Sequence, residues 1–324
     1  MKKYLDLVER LLFRLLCRNA TLKSIIEGID KMTNDLKLDS ALKLKKMVRN
    51  KQLLELSEIE NLLENSEVVT KILAEPFRTD TFTGLRKLEF LLTELSEIPY
   101  FERLDQIQMM LETLYTHVSF EEGFSLTGKQ EGILACHNAL CTLLFLRAGK
   151  KNWAEKGIQW IISYFPFTKN EPSGWHGKDL FHRFGGCVGN SPCYDGLVKS
   201  IKALSEYAAK YGDFPGLQAK LDKGIASLLK YRVIFHEMNN EYLYDDLLTL
   251  FYPYPYRTNI IEALTVLKAE DQLDRVECRQ AIDYLKEKQS VNGYWQTEKI
   301  FMKSSWVPFD PIRKPGAWIT DEIE

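Results

Sequence analysis

Apolar residues recur at three- and four-residue spacing along nearly the whole chain, the period of a helix that buries one face. Tyr4, Leu5, Val8, Leu11, Leu12, Leu15 and Leu16 form one such stripe, and 20–34, 38–49 and 52–65 repeat it. The segment EPFRTD, 75–80, makes the first clear break, because Pro76 disfavours helix in the residue before it. Helices are predicted to resume over 82–95 and 101–118. Strand-type alternation is scarce, so the pattern predicts an all-α fold.

The texture changes after residue 120. Residues 1–120 are leucine-rich and poor in glycine, and they hold one of the six cysteines and one of the five histidines. Beyond them, helical stretches come in pairs: 132–149 with 152–165, 193–212 with 215–235, and 257–269 with 275–289. The second member of each pair carries a related hexad, starting at Gly157, Gly224 and Ala281. A small residue ahead of an apolar cluster suits close helix–helix contact. Such repetition predicts stacked helical hairpins, since a single hairpin cannot bury its apolar face alone. The expected organisation is therefore a helical N-terminal region, 1–120, and a hairpin-repeat region, 121–324.

The third pair ends in AIDYLKEKQSVNGYW, 281–295. Asn292-Gly293 supplies a turn with positive φ. Trp295 is then placed to fold back over the helix end, where the last carbonyls lack partners. The spacing of Ala281, Tyr284, Leu285, Gln289, Gly293 and Trp295 resembles the QW repeat of squalene-hopene cyclases and related terpenoid cyclases. Gly174-Trp175 looks like a degraded copy, with Phe165 where the glutamine is expected. IRKPGAWIT, 312–320, is similar to the end of bacterial prenyltransferase and squalene-cyclase-like repeat proteins. The likeness covers about 130–324 and implies an α/α toroid, inner and outer rings of helices around an apolar cavity, here with additional N-terminal helices. Thr320 would make a good N-cap for a further helix.

Hydrophobic content of 45%, charge of 27% and a formal net charge of −2 are ordinary for a globular chain. Acidic and basic residues are interspersed, which argues against a nucleic-acid partner. No apolar run is long enough to span a bilayer. Asp6, Glu9, Arg10 and Arg14 interrupt the N-terminal stripe, so it reads as an amphipathic helix and not as a signal peptide. Six cysteines in 324 residues suggest free thiols and a cytoplasmic location.

The acid motif D-x-D-D of terpene cyclases is absent, and so is the metal-binding D-D-x-x-D of prenyl-diphosphate enzymes. Tyr244-Asp245-Asp246-Leu247 is the nearest approach, with Thr249 where the last aspartate of D-D-x-x-D would stand. Asp245 or Asp246 is expected to cap a following helix. The richest stretch is GWHGKDLFHRFGGCVGNSPCYDG, 174–196. His176, His182, Cys187 and Cys193 are imidazole and thiolate donors of the kind zinc prefers, although their spacing matches no common zinc finger. The Asp-x-Cys pair of protein prenyltransferases does not occur. Trp175-His176 and Cys136-His137 resemble pairs of the lanthionine cyclases, another toroid family. Asp195 and His176 are candidate catalytic groups. His137 and Cys141 lie four apart on one helix face. FYPYPY, 251–256, is a stiff segment whose Tyr252 and Tyr254, with Trp175 and Asp245, are candidate ligand contacts; the alternative is a surface loop packed on the end of the fold.

The expected function is the binding or processing of an apolar, isoprenoid-like small molecule or lipid in a central cavity, with zinc as a possible cofactor. The alternative is a non-catalytic helical scaffold that takes a protein partner, for instance through its N-terminal helices.

Overall fold

The computed structural model describes residues 38–171, 175, 187, 192–303 and 305–324. It is all-α: twelve α-helices and no strand occur among the described residues. The stripes predicted over 4–16 and 20–34 lie outside them. Residues 39–290 and 294–324 form one compact unit, described below.

Three N-terminal helices come first: α1 (Ser40–Arg49), α2 (Leu56–Glu64) and α3 (Glu67–Leu73). The stripe expected over 52–65 is α2, and a separate helix follows it. Asp39 organises this start. Its carboxylate accepts from Ala41 N–H at 2.9 Å, capping α1, and from the Ser66 hydroxyl at 2.7 Å. Ser66 in turn caps α3 by accepting from Val69 N–H at 3.1 Å.

The remaining helices alternate between two kinds. α4 (Phe82–Leu95), α6 (Ala135–Arg147), α8 (Tyr194–Tyr211), α10 (Ile260–Ala269) and α12 (Ala317–Ile323) are buried around most of their circumference. Every residue from Ala135 to Leu146 is buried, which is the behaviour of a helix that is apolar on all sides. These five helices touch one another in series, α4 to α6 to α8 to α10 to α12. The others, α5 (Ile107–Val118), α7 (Lys151–Tyr164), α9 (Leu217–Lys230) and α11 (Arg279–Glu287), each pack on the helix that precedes them. They are amphipathic: α11 buries only Ala281 and Leu285. The three predicted hairpins are therefore α6/α7, α8/α9 and α10/α11. The pairing also extends upstream of residue 120, with α4/α5, and the α5 residue Tyr115 stacks on Trp153 at 3.9 Å between ring centroids.

The small residues of the hexads sit where helices approach most closely. A Cβ on Gly157 would lie 1.9 Å from Thr142 Oγ1, and one on Gly224 would lie 2.6 Å from the Phe167 ring. The turn after α11 also forms as the spacing predicts. Gly293 has φ +82°, and the Trp295 indole N–H donates to the Leu285 carbonyl at 2.7 Å, taking up one of the unpaired carbonyls at the helix end. Trp175, in the degraded copy, does not do this. Its indole N–H donates to the Glu131 carbonyl at 3.2 Å, and the Phe165 carbonyl at the end of α7 accepts from Lys220 instead.

Thr320 is not an N-cap. α12 already begins at Ala317, with Asp310 reaching back to accept from Trp318 N–H at 3.1 Å and Ile319 N–H at 2.8 Å. Thr320 lies inside the helix, where its hydroxyl oxygen accepts from Trp295 N–H. α12 is tied to α1: Lys45 pairs with Glu322 at 2.7 Å and Arg49 with Asp321 at 2.6 Å. α1 also packs on α3, and α3 on α4.

Candidate functional site

Charged groups are unusually deep in this unit, and they gather at two levels of the same helices. The first level runs from the C-terminal ends of α4 and α6 across the middle of α8 to the first turn of α10. Arg147, the last residue of α6, donates to Glu97 at 2.7 Å and to both Glu206 oxygens at 2.7 and 2.9 Å. Lys199 pairs with Glu262 at 2.6 Å, and Lys202 lies 3.5 Å from Glu97 and 3.8 Å from Glu262. Burial raises the Glu97 carboxyl's pKa, but Arg147, Lys202 and Lys45 outweigh it and hold the group well below the usual carboxylate range.

Tyr252 and Tyr254 of FYPYPY belong to this level, and the segment is no surface loop. Tyr252 and Tyr254 are buried because each hydroxyl finds a partner. Lys45 donates to the Tyr252 hydroxyl at 2.8 Å, and Tyr254 donates to Glu322 at 3.1 Å. The Lys202 ammonium stands 4.6 Å above the Tyr254 ring. Both tyrosines thus serve the ion network.

The second level lies towards the N-terminal ends of the same helices and is built differently. Glu89, fully buried in α4, places one carboxylate oxygen 2.6 Å from Nδ1 of His137 in α6. Its other oxygen accepts from the Cys141 thiol at 3.5 Å. The helical spacing of His137 and Cys141 thus has a meaning: one turn apart, they share one carboxylate. Burial, and then the Glu89 charge, push the Cys141 thiol well up. The carboxylate against Nδ1 orients the ring and leaves Nε2 as the nitrogen that Glu89 does not hold. Among the described residues Nε2 has no hydrogen-bond partner. The rings of Phe82, Phe90 and Tyr256 surround the imidazole at centroid distances of 6.3, 6.5 and 5.6 Å. Tyr256 is half-buried, so this niche is not sealed. A carboxylate-oriented imidazole in an aromatic niche is competent for general acid–base chemistry on an apolar ligand.

Of the residues singled out in the sequence, Asp195 lies beside this niche at the start of α8. Its carboxylate accepts from Thr258 N–H at 2.8 Å, the Tyr244 hydroxyl at 2.9 Å and Arg257 at 2.9 Å. Three donors on one short segment make Asp195 the anchor of residues 244–258. Cys193, just ahead of α8, has its thiol hydrogen-bonded to Cys187; that bond, then burial, raises its pKa well up. Cys136 lies close enough to feel Cys193 and Asp195, although burial is the largest cause of its own raised pKa. Cys187, Cys193 and Asp195 are therefore brought together. His176 and His182 lie outside the described residues. Two adjacent thiols alone do not make a zinc site, and no group of three or more candidate ligands occurs among the described residues, so no metal step is derived.

Trp175 is buried away from this niche, edge-on to Trp160 at 5.5 Å. Asp245 is exposed at the start of the short 3-10 turn Asp245–Leu248. Neither Asp245 nor Asp246 caps that turn: its N-cap position is Tyr244, and Asp246 instead pairs with Lys299.

The sequence reading missed Glu89, Arg86 and Arg257. A signal was present, since LRKLEFLLTEL sets Glu89 inside an otherwise apolar run. Charged residues are rarely fully buried unless paired. Compared with protein-family models, curated proteins and solved structures, the chain matches none of them.

Proposed function

We propose that this chain binds an apolar, isoprenoid-like molecule against Phe82, Phe90 and Tyr256, and that His137, oriented by Glu89, acts on it as a general acid–base group. The observation that carries this reading is the Glu89–His137 pair, 2.6 Å apart, with Nε2 uncommitted among the described residues in an aromatic niche. The series of inner helices, their outer companions and the α1–α12 ion pairs support reading the hairpins as a closed α/α toroid, with the niche at the N-terminal level of its inner helices. The Trp295 cap supports the likeness to the QW repeat.

Native mass spectrometry of the purified protein, followed by solvent extraction, tests the reading. A discrete apolar species is expected to be retained by the wild type and lost on Tyr256→Ala. His137→Gln is expected to retain the species but change the ratio of bound compounds, since it keeps a polar side chain of similar reach and removes the imidazole. A bare chain under gentle conditions, together with no response of its intrinsic fluorescence to added decanol, overturns the proposal.

A further inference from the structure

Arg86 stands out among the cations near the niche. Arg257 is paired with Asp195, Lys199 with Glu262, and Lys87, the residue after Arg86, with Glu75. Arg86 has no carboxylate at ion-pair distance among the described residues, and its Nε–H is buried without an acceptor. An unmade hydrogen bond from a buried charged donor is costly, so such a group implies an acceptor in the functional state. The neighbouring carboxylate does not serve, because both Glu89 oxygens are committed to His137 and Cys141.

The position of Arg86 fits the niche. Its guanidinium lies 5.6 Å from the centre of the Phe82 ring, which itself stands edge-on to His137. Among the described residues, the charged and titratable groups facing this region are Glu89 and Arg86 on α4, His137 and Cys136 on α6, Asp195 on α8, and Tyr256 and Arg257 on the connecting segment. Asp195 is neutralised by Arg257, and Glu89 is engaged by two donors. Among the described residues Arg86 is the cation near the niche with no carboxylate at ion-pair distance, whereas Arg257, whose Nε also lacks an acceptor, is neutralised by Asp195. A guanidinium presents a planar fork of donors that matches a carboxylate or phosphate, and it does so best where water is partly excluded.

We propose that Arg86 recognises an oxyanion, carboxylate or phosphate, carried at one end of the apolar ligand whose body lies against Phe82, Phe90 and Tyr256. The inference rests on the niche reading above and adds the chemical class of the ligand: an amphiphile with an anionic head, held so that the head meets Arg86 and the adjoining carbons meet His137.

The test is isothermal titration of the full chain with decanol, decanoate and decyl phosphate, each below its micellar range. At least one anionic probe is expected to bind about tenfold or more tightly than decanol, which is about 1.4 kcal/mol. Arg86→Gln is expected to reduce that probe to the decanol level while leaving decanol unchanged, and Arg86→Lys to restore part of the preference. Whichever of decanoate and decyl phosphate binds tighter identifies the head group. Equal binding of all three probes, or a preference that survives Arg86→Gln, overturns the oxyanion inference and leaves the apolar niche standing. If decanol itself does not bind, the niche reading falls and this inference falls with it.

Discussion

Arg147 and Arg86 stand near the two levels of the same helices, and their surroundings could hardly differ more. Arg147 reaches two carboxylates, and the charges around it pair in turn. Arg86 reaches none among the described residues. Burying an ion is expensive, and a network recovers that cost only when its members are matched. The saturated level therefore reads as structure, holding α4, α6, α8 and α10 in register. The unsaturated level, with a guanidinium and an imidazole nitrogen that have no hydrogen-bonding partner among the described residues, is the one on which the proposed ligand site rests. Natural sequences break local rules of satisfaction mainly at functional sites.

The comparison breaks most decisively at Arg147. Arg147→Gln leaves Glu97 and Glu206 without their main cation, and a loss of about 3–5 kcal/mol in unfolding free energy is expected. Urea denaturation at pH 7 measures it. A loss below about 1 kcal/mol would mean that the network behaves as a surface ion pair, and the distinction between the levels would collapse.

The QW-like turn offers a second contrast of the same kind. Trp295 donates to the Leu285 carbonyl, a terminal group of α11, whereas Trp175 donates to a carbonyl of the exposed residue Glu131. Trp295→Phe removes the donor and keeps most of the ring, so a loss of about 1–2 kcal/mol is expected. Trp175→Phe should cost less, because water can replace the lost donor. Thermal unfolding of the two variants side by side decides it.

These contrasts show how far the residue order alone was informative. Helix period exposed α4, since a helix over about 82–95 was expected and Phe82–Leu95 is found. The hexads exposed the close contacts at Gly157 and Gly224, because a small residue at a fixed place in a repeat is a local signal. Partners distant in sequence were not legible. Glu89 and His137 are 48 positions apart, and Lys45 and Tyr252 are 207 apart. Nothing in periodicity tells which buried charge meets which. For the same reason FYPYPY read as peripheral: alternating tyrosine and proline suits a rim, and only the hydroxyl partners explain its burial. Asp310 displaced Thr320 as the cap of α12 because a carboxylate seven residues upstream of Ala317 folds back onto the helix start.

Glu94 tests the boundary between the two levels through pH. It is buried in α4, and among the described residues its carboxylate accepts only from Val307 N–H, at 3.3 Å to each oxygen. Burial raises its pKa well above the usual 4.5, more than that hydrogen bond lowers it. A carboxyl with a raised folded-state pKa contributes its full stability below the unfolded value and loses it as pH rises through the folded value. Glu94→Gln keeps an acceptor for Val307 and removes the titration. It is expected to be more stable than the wild type at pH 8 and to show no such gain at pH 4. A pH-independent difference in unfolding free energy would sink this account.

The smallest expected effect is the most informative. Arg86 has no carboxylate partner among the described residues, so removing its charge breaks no ion pair there. Arg86→Gln gives up the cation–π contact with the Phe82 ring and relieves a buried donor that lacks an acceptor, two opposed effects, so it is expected to change the unfolding free energy by no more than about 1 kcal/mol. Set against Arg147→Gln in the same urea titration, two substitutions of identical chemistry on the contacting helices α4 and α6 should differ severalfold in cost. A large loss at Arg86 would show that it has a partner in the folded chain after all, and the unsaturated level would then be structural like the other. A near-zero loss of stability, joined to loss of preference for the anionic probes, separates the two levels by function, because the same charge then does nothing for folding and much for recognition.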